Sequence, residues 1–182
     1  YRRQRQMCIR DRSICVPTYN NALEVERLLQ SVHRQNYTDY EVNISDDSTN
    51  EETAELIEWI RTEWSWQDKL HYIHNEKPLG HIYNWNAAIK MAAGEYIKIM
   101  FSDDWFTDSD SLGTFVSMLD EHPKANLAFS GSMQVLLDGQ DIEQVKHLNK
   151  QVTEHGNAFA RYAEDAFIAV SYTHLTLPTI RL

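Results

Sequence analysis

Apolar and polar positions along this chain alternate between short runs and longer helical stripes. Residues 13–17, SICVP, form an apolar run stopped by proline and predict a strand. Asn21 then stands as a helix cap, with Glu24 three residues on as in a capping box. Val25, Leu28, Leu29 and Val32 follow at helical spacing. Residues 40–45 alternate, with Val42 and Ile44 on one face, and predict a second strand. The polar turn at 46–50, DDSTN, offers N-cap residues to a helix carrying Leu56, Ile57, Ile60 and Trp64. A strand at 70–74 and a loop at 75–80 come next. Ile82, Trp85, Ile89 and Ala92 mark a third helix, with Gly94 just past its end. Residues 96–101, YIKIMF, are the most strand-like run. Leu112, Phe115, Val116 and Leu119 mark a fourth helix closed by His122-Pro123, residues 126–133 read as a further strand, and residues 150–168 as an amphipathic helix.

Strand and helix in strict alternation argue for an α/β fold: a mostly parallel sheet with helices on both faces. Ligands of such sheets sit outside the carboxyl ends of the strands. Three polar clusters fall at those ends: PTYNN after the first strand, DDSTN after the second and SDDW after the fourth. The last one poses a problem. Two unit charges about 4 Å apart repel by roughly 4 kcal/mol at an effective dielectric near 20. Either a divalent cation or full solvation must offset that for Asp103 and Asp104.

The chain of 182 residues is 42% hydrophobic and 24% charged, a globular composition without an apolar run of membrane-spanning length or a secretory signal. Its net charge of -10 is uneven. Residues 1–13 hold five arginines against Asp11 alone, and residues 170–182 hold Arg181 as their one charge, so the interior is more acidic still. That argues against a nucleic-acid groove and suits a protein that binds anions with the help of a metal. Cys8 and Cys15 make no disulfide framework, and Cys15 reads as a small core residue in a reducing compartment. Residues 1–12 and 170–182 break the patterns beside them and resemble adapter sequence translated at the ends of an environmental read. A metagenomic fragment, truncated and incomplete at the C-terminus, is the expectation; a basic arm plus an edge strand is the alternative.

The motifs SICVPTYNN, EVNISDDSTNEET and NEKPLG, with NWNAAIKMAAGEYIKIMFSDDWF, resemble in order and spacing the family-two glycosyltransferases, whose fold is GT-A, a Rossmann-like nucleotide-binding architecture. The likeness covers about residues 13–133, read as a nucleotide-sugar (donor) binding domain, with residues 134–169 opening an acceptor-side region. The resemblance implies that Pro17, Thr18, Tyr19 and Asn20 receive the base and ribose, with Tyr19 offering an aromatic face. It implies that Asp47 accepts a hydrogen bond from a base ring N–H, since a carboxylate only accepts, while Asp46 is structural, capping the next helix. Asp104 would ligate Mn²⁺ or Mg²⁺, and Asp103 would contact the ribose or a metal-bound water. Asn75, Gly80, Asn84 and Asn86 match a segment near the diphosphate and sugar. The chain departs where many relatives place an arginine: it has Trp85, read as core packing, with Lys77 or Lys90 as substitute charges.

The implied function is metal-dependent, inverting transfer of a sugar from a nucleotide-diphosphate donor, UDP being favoured over dTDP and the rest, to an unknown sugar or lipid-linked acceptor. Polysaccharide synthesis in the cytoplasm or at the inner face of the membrane is the implied setting, with peripheral membrane association of a full-length protein. Inversion needs a general base. The acidic pair in the right direction is Glu164-Asp165, which reads better as a solvated helix face, so the base is expected beyond the chain. The histidines lack paired metal spacing, and His81 alone lies near the diphosphate loop. Two other readings stand beside this one: a nucleotide-binding module without transferase activity, and a receiver-like domain binding Mg²⁺. The second lacks a lysine after residues 126–133.

Overall fold

A computed structural model of the chain describes residues 12–125, 127–128, 132–135, 144–147 and 179–181. Within them the order is β1 (Arg12–Thr18), α1 (Ala22–His33), β2 (Tyr40–Asp46), α2 (Glu52–Glu63), β3 (Leu70–His74), α3 (His81–Lys90), β4 (Tyr96–Ile99) and α4 (Ser111–Glu121). Short strands β5 (Leu127–Ala128), β6 (Ser132–Val135), β7 (Gln144–His147) and β8 (Thr179–Arg181) follow. The main sheet runs β3-β2-β1-β4-β8-β5. Its first four strands are parallel, and β8 lies antiparallel between β4 and β5. β6 and β7 pair antiparallel in a separate sheet. The mostly parallel α/β arrangement read from the sequence is the one observed.

Alternation along the strands divides the core. Ile14, Val16, Val42 and Ile44 face α1, α2 and α4, where they pack with Val25, Leu28, Leu29, Ile57, Ile60, Leu112 and Leu119. On the opposite face Cys15 and Ile97 pack under Ala88 of α3, flanked by Ile89, Ala92 and Ile99. Helices therefore cover both faces. Pro17 fits inside β1 because Cys15 accepts from Met100 N–H on the β4 side at 3.0 Å, and β4 has ended at the level where Pro17 lacks a donor.

Several local expectations are corrected. Asn21 holds the N-cap position of α1, but its side chain caps no helical N–H, so the capping box with Glu24 does not form. β4 stops at Ile99 rather than residue 101. The run at 126–133 divides between β5 and β6. The apolar stripe read for α3 holds in part: Trp85, Ile89 and Ala92 are half-buried, the last two packed on the core, but Ile82 is not. Ile82 is 65% and Tyr83 71% exposed, while Asn84 and Ala88 are the buried pair. Gly94 is no helix cap; a Cβ there would lie 2.8 Å from the Arg12 carbonyl carbon and the Ser13 hydroxyl, so close approach to β1 requires glycine. Thr179–Arg181, from the terminal stretch left out of the functional reading, lie between β4 and β5 in the sheet. The helix at 150–168 and Glu164-Asp165 lie outside the described residues.

Candidate active site

Register builds the site. Thr18 pairs with Asp46, and Asp46 with His74, so three parallel strands end on one row and Tyr19, Asp47 and Asn75 open beyond it. β4 ends earlier, at Ile99 opposite Cys15, and its chain continues through 100–104 along the same edge. All three sequence clusters therefore meet at one margin of the sheet.

The β1 and β2 loops are stitched together. Asn20 adopts a left-handed backbone, φ 50°, which Asn tolerates. Its N–H donates to Ser48 Oγ at 2.8 Å, and its Oδ1 accepts Thr49 N–H at 2.9 Å. Tyr19 projects into solvent, half exposed, free to offer a ring face. Asp46 is structural, as read, but not as a helix cap: it accepts the Ser48 N–H at 2.8 Å, the Ser48 hydroxyl, and the Tyr72 hydroxyl at 2.7 Å. Glu51, not a residue of the DDSTN turn, holds the N-cap position of α2.

Asp47 lies deeper than a solvent-facing ligand, at 3% exposure. Its Oδ1 accepts from the Asn75 amide at 2.8 Å and its Oδ2 accepts the Gly80 N–H at 2.8 Å. Each oxygen keeps a further lone pair, so a base N–H could still be received. Asn75 also donates toward Asn84 Oδ1 at 3.2 Å, and the Asn84 amide donates to the Thr18 carbonyl at 3.1 Å. Thr18, Asp47, Asn75, Gly80 and Asn84 thus form one connected group. Asn86 does not join it: half-buried, it sits two residues and about 200° around α3 from Asn84. Trp85 packs against Phe101 with ring centroids 4.9 Å apart, in keeping with a packing role.

On the β4 side, Asp103 is exposed and Asp104 half-buried in a turn closed by Asp104 N–H to the Phe101 carbonyl at 3.0 Å. Ser102 is buried and accepts from the Asn21 amide, whose carbonyl oxygen accepts the Thr18 hydroxyl. Asn21, assigned to capping in the sequence, is instead the tie between the first loop and the acidic loop. Trp105 beside the pair carries the Arg27 guanidinium 5.3 Å above its ring. Lys98 lies beneath, 6% exposed, with its ammonium 4.8 Å from the Phe115 ring. Burial pushes Lys98 down to about 8, against the opposing charge of Asp104. Its signal in the sequence was a lone lysine within the apolar run YIKIMF.

Among the described residues no three His, Cys, Asp or Glu side chains converge as a closed metal site. Two adjacent carboxylates at the sheet edge are nonetheless the share a protein commonly gives to Mg²⁺ or Mn²⁺ when substrate phosphates and water complete the octahedron. Asp103 and Asp104 fit that donor set.

The sequence profile described as Glycosyl transferase family 2 matches residues 13–164. The chain belongs to this family. Among its relatives, the GalNAc(5)-diNAcBac-PP-undecaprenol beta-1,3-glucosyltransferase of Campylobacter jejuni is 24% identical over 145 residues, covering 76% of this chain and 46% of the relative. The abequosyltransferase RfbV of Salmonella typhimurium is 34% identical over 110 residues, covering 59% and 32%. The chain thus spans about half the length of such relatives or less. Two solved structures share the fold over 94% of the chain. Staphylococcus aureus TarS 1-349 in complex with UDP-GlcNAc has a TM-score of 0.62 at 23% identity, with 45% of that chain covered. Mannosyltransferase PcManGT from Pyrobaculum calidifontis in complex with GDP-Man and Mn2+ has a TM-score of 0.64 at 22% identity, with 44% covered. The GT-A architecture expected from the motifs is the fold found.

Proposed function

We propose that residues 13–133 form the donor half of an inverting, metal-dependent glycosyltransferase that uses a nucleotide-diphosphate sugar. The observation that carries this reading is the convergence of Thr18–Asn20, Asp47 with Asn75 and Gly80, and Asp103-Asp104 at one edge of a parallel sheet, in a chain of family two. Tyr19 supplies a face for the base, and Asp47 retains acceptor capacity for a ring N–H. That favours UDP, with dTDP next.

A divalent cation held by Asp104, with Asp103 on the ribose or on a bound water, would neutralise the departing diphosphate. The chain's own residues prepare that position. Asn21 fixes Ser102 against the first loop, Gly80 gives the 75–80 segment its turn, and Asn75 and Asn84 hold that segment to Asp47. These carboxylates are committed to ring and cation rather than to an anomeric carbon, which favours one displacement with inversion over a covalent intermediate. The base that takes the acceptor proton is assigned to no described residue. A sugar or lipid-linked acceptor accords with the undecaprenol-linked acceptor in the Campylobacter relative's name; surface polysaccharide synthesis and a cytoplasmic or inner-membrane-face setting belong to the same proposal by family analogy. No described helix is long and apolar enough to cross a membrane.

Family membership sets the receiver-like alternative aside. A thermal-shift panel of UDP, dTDP, GDP, CDP and ADP, each with and without Mn²⁺, tests the nucleotide assignment. A ligand at 100 times its dissociation constant adds about 2.7 kcal/mol, a rise of several degrees in a domain of this size. A Mn²⁺-dependent rise with UDP or dTDP is expected. A cooperative melt unmoved by any nucleotide would overturn the reading.

A further inference from the structure

A carboxylate shut off from solvent at the end of β2 needs an explanation. Burying a charge is costly unless donors surround it, and Asp46, fully buried, has them. Its Oδ2 accepts the Tyr72 hydroxyl at 2.7 Å, and its Oδ1 accepts both the N–H of Ser48, at 2.8 Å, and the Ser48 hydroxyl. A serine hydroxyl has a single proton to give. With that proton on Asp46, the Ser48 oxygen is left as an acceptor, and it takes the Asn20 N–H at 2.8 Å. Tyr72 is anchored on its own side: its ring packs against the core, and the register of β3 sets it opposite Ile44. His74 of the same strand places Nε2 3.0 Å from the Ser48 carbonyl. One line of bonds therefore runs from β3 through the end of β2 to the first loop. It ends on Asn20, whose φ of 50° L residues seldom adopt. Next to Asn20 stands Tyr19, its ring out in solvent.

We propose that Tyr72 is a positioning residue for the donor's base: through Asp46 and Ser48 it holds the left-handed turn at Asn20, and so the direction in which Tyr19 presents its ring. This rests on the donor-site reading above. Tyr72 acts through the carboxylate rather than on the nucleotide. Its hydroxyl fixes one oxygen of Asp46 and leaves the other aimed at Ser48. Without that hydroxyl the carboxylate is free to turn, Ser48 loses a fixed acceptor, and Asn20 relaxes toward the right-handed backbone that L residues prefer. A loop ordered in advance spares the entropy of ordering it when the ligand binds. The loss on removing Tyr72's hydroxyl therefore falls on the base end of the donor. Asp103 and Asp104, past the end of β4, are not part of this line of bonds.

Isothermal titration of the 182-residue chain with UDP and with pyrophosphate, each in the presence of Mn²⁺, separates the base end from the diphosphate end without turnover. Tyr72→Phe removes one oxygen and keeps the ring. Ser48→Ala cuts the same line beyond Asp46. Glu41→Gln, at the opposite end of β2, serves as a variant that loosens the fold away from the loop. Each is checked by a cooperative circular-dichroism melt. UDP affinity is expected to fall on the order of tenfold in Tyr72→Phe and in Ser48→Ala, the scale of one lost hydrogen bond to a charged group. Pyrophosphate affinity in both, and UDP affinity in Glu41→Gln, should stay within about threefold of wild type. Unchanged UDP affinity in the folded Tyr72→Phe and Ser48→Ala chains, or a loss shared equally by pyrophosphate or by Glu41→Gln, would overturn the role of Tyr72 alone. A wild type that binds no UDP even with Mn²⁺ would overturn the donor-site reading and this role together.

Discussion

The Oδ2 of Asp47 accepts the backbone N–H of Gly80 at 2.8 Å, fastening the start of α3 to the end of β2. The other oxygen receives the Asn75 amide from the same segment. One buried carboxylate therefore sets the geometry of the whole 75–80 loop. Asp47→Asn replaces one of its two acceptors with a donor that faces a donor. A buried polar group left unpaired costs about 1–3 kcal/mol, so the melting temperature should fall by several degrees. Hydrogen exchange should rise at Gly80 and Asn75 while β1 stays protected. An unchanged exchange pattern would show that Asp47 does not hold this loop.

Two glycines separate conformational from steric need. Gly80 has φ +82° with nothing within 4 Å of a built Cβ, so Gly80→Ala carries only backbone strain, on the order of 1–3 kcal/mol. Gly94 lacks a positive φ, but its Cβ would strike the backbone of Arg12 at 2.8 Å. Backbone atoms cannot move aside as a flexible side chain can, and β1 would have to shift. Gly94→Ala is expected to destabilise more than Gly80→Ala in urea titrations, and the reverse order would contradict these placements.

Acid stability depends on Glu41, at the amino end of β2. Burial raises its carboxyl, but bonds from the Ala93 N–H, the Asn43 amide and the Ser13 hydroxyl, with the charge of His71, bring it below its ordinary value of 4.5. A carboxyl lowered on folding contributes stability above its unfolded value and loses it as the pH falls through the folded one. Urea midpoints followed from pH 7 to 3 should therefore drop below about pH 4.5. Glu41→Gln should flatten that limb, and an equally steep limb in the variant would assign the loss elsewhere.

Cys15 lies under α3 with no exposure. Burial and the charge of Glu41 push its thiol up to about 12, against a bond with Asn43. The thiolate is the reactive form, so Cys15 should resist iodoacetamide at pH 8 in the native chain and react in denaturant. Peptide mass analysis reads this directly. Native labelling of Cys15 at the denatured rate would be inconsistent with its place in the core.

Much of the fold was legible because burial leaves local marks. The runs at 13–17, 40–45 and 70–74 became β1, β2 and β3, and the stripes of α1 and α4 face the core as their spacing implied. What was not legible depends on distant partners. Asn84 is buried because Thr18 and Asn75 satisfy its amide, and nothing near it in the chain announces that. Ile82 looked like core for want of the same information. Asn21 has the composition of a helix cap, yet its partners are Thr18 and Ser102. The three loop clusters could be placed at strand ends from local pattern, but the burial of Asp47 beneath Asn75 and Gly80 comes only from the parallel register.

Calorimetric titration of UDP into the chain, with and without Mn²⁺, and into Asp104→Asn, tests the donor-site assignment most directly. Binding that requires Mn²⁺ and falls by at least about tenfold in Asp104→Asn, a loss of about 1.4 kcal/mol, is the predicted result. UDP binding of equal strength without metal, or in the folded variant, would contradict the role given to the Asp103-Asp104 pair.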